Sequence, residues 1–258
     1  MRVLLFCLSF HYIPSLITLI FLFRYLGDYN LLEILAKEHC KDLLEELLQG
    51  EFSHLFCSEG KHAAMVRAIE KGHDEILNVF LDNGCDPNFT TKEGIHVLNI
   101  AAHKSFACTH CLLARGATFQ MSVAYLDGYG TTFVYNKNYR MSPVDVAILF
   151  GRYSIAKLLF LRFHIPPTYR RQLNEGTNNS NFKYIFSKID KSVKAHEELS
   201  EFKEIYFEQP RPLLRLCMEK VSGLIGPTSR KKKLSDCGLP VNISHEILLE
   251  GVCEQEYL

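Results

Sequence analysis

The sequence carries no surplus of charge. Its 258 residues hold 29 lysines and arginines against 29 aspartates and glutamates. A formal net charge of zero removes the global electrostatic argument for a nucleic-acid partner. A disulfide framework is missing too: nine cysteines, an odd number, are scattered without a repeating spacing. That pattern is unlike a small secreted domain and points to a reducing compartment. Complete ligand or catalytic sets are also lacking. "CTHC" brings Cys108, His110 and Cys111 together, with His103 nearby, but no second cysteine pair completes four zinc ligands. These read as small core residues of a helix. "GLIGPTS" from Gly223 lacks the lysine and spacing of a phosphate loop. No nucleophile–base pair or paired-carboxylate motif stands out. The chain therefore reads as non-catalytic, with no cofactor and no metal.

What is present is apolar and periodic. Hydrophobic residues make up 47% of the chain, enough for the core of one large domain or two small ones. Val3 to Phe23 runs without a formal charge, and about 20 such residues cross a bilayer. His11 and Pro14 interrupt it, and "RYLGDYN" after it offers no small-residue cleavage site. Residues 1–27 stay open between a membrane anchor, an extra helix on the core and a wrongly assigned first exon. In the first case Arg24, Lys37 and Lys41 would keep the rest of the chain in the cytosol, and a cytoplasmic location is expected either way.

A repeat of about 33 residues follows. Gly60 and Gly94 are 34 apart, Ala68 and Ala101 are 33 apart, and Gly84 and Gly116 are 32 apart. Each unit offers a short apolar helix, a polar turn, a second helix and a closing glycine, which suits a left-handed helix end. Another copy begins at Met141, where Ser142 suits an N-cap and Pro143 the first helical position. Ala147 repeats Ala101 only after 46 residues, because "AYLDGYGTTFVYNKNYR" is inserted as an enlarged loop or hairpin. A degenerate first copy runs from Asn30 to Phe52. Such helix pairs cannot bury their apolar faces alone, so neighbours must stack into one core. Small residues at Ala68, Ala101 and Ala147 let the helices approach.

These residues resemble the ankyrin repeat family, above all at Ala68–His73, "FLDNGCDPN" (Phe80–Asn88), "LLARGA" (Leu112–Ala117) and "SPVDVA" (Ser142–Ala147). The family's threonine-proline-leucine-histidine turn is poorly kept in the middle copies. The resemblance implies an all-α solenoid of about four repeats over residues 28–165, one with a long loop insertion. It implies binding of a partner protein on a concave face and on the hairpin tips. Residues 166–209 read as a turn-rich linker and a capping helix.

"PLLRLCMEKV", from Pro212 to Val221, is a helix with apolar residues on too many faces to stand in water. Pro212, Leu213, Cys217 and Val221 resemble the elongin-binding half of a SOCS box. "LPVN", Leu239 to Asn242, resembles its second half, whose leucine-proline-aliphatic-proline motif meets cullin-5. Position just after an ankyrin array strengthens the match. The resemblance implies a small helical SOCS box over residues 210–258. It implies an elongin C site at Pro212, Leu213, Leu216, Cys217 and Val221 and a cullin site at Leu239, Pro240 and Val241. Asn242 stands where the family has its second proline, which weakens the implied cullin contact relative to the elongin contact, and Ile247-Leu248 alters the family's aromatic-leucine ending. The partners implied are elongin C, elongin B and cullin-5 with its RING protein, together with an unidentified protein target. The chain would then be the substrate adaptor of a ubiquitin ligase. The alternative is an ankyrin scaffold, membrane-tethered through residues 3–23 or not, without ligase activity. "RKKK", Arg230 to Lys233, falls between the two halves and reads as a solvated loop. "NNS" at Asn178 and "NIS" at Asn242 match glycosylation acceptors and matter only if those segments are lumenal.

Overall fold

The computed structural model describes residues 31–50, 53, 56–125, 135–163, 213–226 and 228–250. The apolar N-terminal segment and the expected linker and capping helix at 166–209 lie outside them. Among the described residues no helix is long and apolar enough to cross a membrane.

Four consecutive helix pairs make up the main body. They are α1 (Leu31–Lys37) with α2 (Lys41–Gln49), α3 (Ser58–Lys71) with α4 (Asp74–Asp82), α5 (Val97–Lys104) with α6 (Phe106–Ala114), and α7 (Pro143–Leu149) with α8 (Tyr153–Arg162). First helices stack on first helices and second on second, giving two layers. The core between them runs without a break from Leu32 and Leu44 through Met65 and Phe80 to Leu98, Leu112 and Leu159. Ala68, Ala101 and Ala147 are fully buried, as close helix packing requires. Burying each leucine or phenylalanine contributes about 1.5–3 kcal/mol, so this shared core holds the pairs together.

Local chemistry sets the helix ends. Gly84 and Gly116 have φ of 81° and 91°. At each, the glycine N–H returns to the third carbonyl back (Leu81, Leu113) and the next N–H to the fifth (Phe80, Leu112). Such a closure needs a left-handed residue, and glycine adopts it without steric cost. At the start of α7, Ser142 Oγ accepts from the Asp145 N–H at 3.1 Å. The Asp145 carboxylate in turn accepts from the Ser142 N–H and O–H at 2.8 Å each. Two otherwise orphaned groups at the helix start are satisfied reciprocally.

The insertion before α7 is the exception to an all-α fold. Strand β1 (Ser122–Tyr125) pairs antiparallel with β2 (Tyr135–Met141), so of loop and hairpin it is the hairpin that forms. Its base is pinned by Asn99 of α5, whose Nδ2 donates to Ser122 Oγ at 2.8 Å and to the Met141 carbonyl at 2.9 Å. Neighbouring repeats are tied by Asn88, whose Oδ1 accepts from the Thr118 N–H at 2.7 Å and its hydroxyl at 2.8 Å. Arg115 reaches back to Asn78 at 3.1 Å and pairs with Asp82.

His96, the N-cap residue of α5, is 1% exposed, and neither ring nitrogen has a hydrogen-bond partner. Burial pulls its pKa down to about 4, against a smaller opposing pull from Asp86. The folded state therefore refuses a proton that the unfolded chain accepts below about pH 6.5. Stability is expected to fall as pH drops from about 6.5 to about 4 and to level off below. At about 1.4 kcal/mol per pH unit, this one residue contributes a loss of roughly 3 kcal/mol. Urea unfolding at pH 7 and pH 4.5 should show the loss in the wild type and a smaller one in His96→Leu. Equal losses in both would contradict the assignment.

A second body of three helices follows: α9 (Leu213–Ile225), α10 (Arg230–Asp236) and α11 (Val241–Leu248). They close around Met218, Leu234 and Ile247, and α11 touches α6 of the main body. The basic run is solvated at Lys231, Lys232 and Lys233 as its composition suggests, but it is helical rather than a loop, and Arg230 is buried. Arg230 to Lys233 open α10, because Leu234 lies one turn beyond Arg230 and both are buried.

Candidate partner-binding surface

Helix α9 has two unlike sides. Met218 and Ser222 are buried, and Val221 and Ile225 pack half-buried on the small core with Leu234 and Ile247. Cys217, Lys220 and Leu224 face solvent, with Leu224 86% exposed. Spacings of three and four put these three on one stripe. An exposed leucine and an exposed cysteine, with Lys220 between them, make a partly apolar edge that the chain's described residues leave uncovered.

Of the elongin set expected from the sequence, Pro212 lies outside the described residues. Leu213 is the first residue of α9, one turn before Cys217, and Leu216 lies within the same helix. Cys217 is exposed, while Val221 sits at the border between the open edge and the core. Of the cullin set, Leu239 packs on the small core, Pro240 is the exposed N-cap of α11, and Val241 opens that helix at 70% exposure. Asn242 is the second residue of α11 and is exposed. First-turn N–H groups make no intrahelical bond, so a proline there would break none.

Side chains that the sequence marked for no such role hold this unit in place. Arg230 is 3% exposed and donates to the Ser222 carbonyl at 2.8 Å, the Ser222 hydroxyl at 2.6 Å and the Gly226 carbonyl at 3.0 Å. Burial, with Arg162 and Arg115 nearby, pulls its pKa down to about 10. Arg162 of α8 also donates to the Ser222 hydroxyl and reaches the Ile247 carbonyl at 3.5 Å. His110 of α6 stands 2.9 Å from the Leu249 carbonyl through Nε2. No local pattern could have marked the roles of Arg162 and His110, because their partners lie 60 to 139 residues away.

The cysteine–histidine cluster is part of the core. Cys108 is fully buried and Cys111 is 6% exposed. Burial pushes the Cys108 thiol up to about 11 and the Cys111 thiol higher still. Both are therefore neutral thiols at pH 7. Among the described residues no group of three or more His, Cys, Asp or Glu could hold a metal ion. All seven cysteines among those residues are free.

On the repeat side, two connections between helix pairs project as ribbons. One is β1–β2. The other is a short turn closed by the Thr90–His96 bridge, with exposed Lys92 and Glu93 at its tip. Both follow a second helix and precede a first helix, which puts them on the same edge of the stack.

Residues 62–168 match the family model for ankyrin repeats, in three copies. The match begins within α3, after the first helix pair. No curated protein and no solved structure matches the chain.

Proposed function

We propose that this chain is the substrate-recognition subunit of an elongin B/C–cullin-5 RING ubiquitin ligase. Ankyrin repeats suggest a role in protein–protein interaction, and the ribbon edge of the stack is where a target would be held. The carrying observation is the division of α9. Met218 and Ser222 hold the helix to the chain, while Cys217 and Leu224 remain in solvent. A helix that only capped the repeats would bury its apolar residues. Helix-in-groove binding instead needs an apolar stripe at turn spacing, with small side chains where the groove is tight. The resemblance to a SOCS box assigns that groove to elongin C. The chain itself would do no chemistry and would act by raising the effective concentration of its target at the ligase.

Mixing the full chain with recombinant elongin B–C complex tests this reading. A single co-eluting species at equal stoichiometry supports it. Separate elution at tens of micromolar favours the second reading, an ankyrin scaffold whose α9 edge meets some other partner.

A further inference from the structure

Helices α9–α11 form a unit of fewer than 40 described residues, with Val221, Ile225, Leu239, Ile243 and Leu248 half-buried around its centre. Their fully buried apolar side chains, among the described residues, are Met218, Leu234 and Ile247. A domain below about 40 residues seldom holds alone without a metal, a disulfide or a partner surface. Here the remaining ties run to the repeats. Leu249 leaves the small core and packs against the large one. Its φ of 58° is the left-handed closure that ends α11, with the Leu249 N–H returning to the Glu246 carbonyl and the Glu250 N–H to the His245 carbonyl, a conformation that leucine rarely adopts. Its carbonyl meets His110, and the Ile247 carbonyl meets Arg162. The Ile247 carbonyl in the last turn of α11 and the Leu249 carbonyl just beyond it thus find donors on α8 and α6. Gly116 closes the contact. A Cβ there would clash with Arg230 Nη1 and stand 3.0 Å from the Ser222 carbonyl.

We propose that the repeat stack is the folding template of α9–α11. The three helices are ordered only while seated on α6 and α8, and Gly116 is the position that admits them. The exposed edge of α9 and the last repeats then form one thermodynamic unit. Whatever tightens those repeats orders the edge, and a partner bound on the edge tightens the repeats by the same factor. The inference concerns how this unit is ordered and holds whichever partner the edge takes.

Hydrogen exchange on the full chain tests it, with Gly84 as the control. Gly84 occupies the equivalent left-handed closure at φ 81°, but nothing lies within 4 Å of a Cβ added there. Gly84→Ala therefore carries backbone strain alone, whereas Gly116→Ala carries strain and the clash. Amides in residues 213–250 are expected to exchange at least tenfold faster in Gly116→Ala than in Gly84→Ala. His110→Ala is a second arm that leaves the glycine closures intact. It should speed exchange in 213–250 at least threefold while residues 58–104 stay as in the wild type. Wild-type exchange across 213–250 in both Gly116→Ala and His110→Ala would overturn the proposal. Equal acceleration by the two glycine variants would overturn it as well.

Discussion

Leu213→Ala combined with Cys217→Phe is expected to abolish binding to elongin C while leaving the melting curve of the chain in place. The alanine removes the apolar anchor that opens α9, and burying a leucine contributes about 1.5–3 kcal/mol. On the proposed reading the phenylalanine overfills the elongin C pocket that would take the thiol, and overpacking costs about 1–3 kcal/mol. The two lie one turn apart and act on the same groove, so the combined loss should exceed a hundredfold in affinity. Cys217 is exposed and takes no part in the small core, so enlarging it should leave the fold unchanged. Titration with elongin B–C alongside calorimetric melting checks both halves. Weakened binding with a collapsed melt would show that α9 is a structural cap.

The largest effect on stability is expected from Phe80→Ala. Phe80 is fully buried in α4, within the continuous core of the stack. Removing a buried phenylalanine costs about 3–5 kcal/mol, a large share of the 5–15 kcal/mol that holds a typical domain. In a stack each pair is supported mainly by its neighbours, so the loss should spread to both sides of α4. Leu224→Ala removes a side chain of similar character, but that residue is 86% exposed. Its effect on stability should stay within about 0.5 kcal/mol. Urea unfolding of the two variants measures the contrast. Similar midpoints would mean that the core does not run where the structure places it.

The repeat body was legible because its signals are local and recur. Glycine at a left-handed closure, alanine at a helix contact and serine before a proline-led helix each act within a few residues. Gly84, Gly116, Ala68, Ala101, Ala147 and Ser142 accordingly stand where the pattern placed them. The insertion was ambiguous for the same reason. Its aromatic and glycine-rich alternation fits either a loop or paired strands, and the choice rests on Asn99, well upstream of the hairpin's second strand. The basic run was misread in part because composition cannot show that Arg230 points inward beside Leu234. The seat of α9–α11 on α6 and α8 depends on His110, Gly116 and Arg162, ordinary residues in sequence that acquire their roles only through distant partners. For the partner edge, the spacing of Leu213 and Cys217 was visible from the start, whereas the exposure of Leu224 was not.

The most direct test of the ligase-receptor account is quantitative affinity capture of the full chain from cells, beside the Leu213→Ala/Cys217→Phe variant. The account predicts elongin B, elongin C and cullin-5 in near-stoichiometric amounts with the wild type, loss of all three with the variant, and target proteins retained by both. Equal elongin recovery from wild type and variant, or none from either while other proteins are captured in stoichiometric amounts, would contradict it.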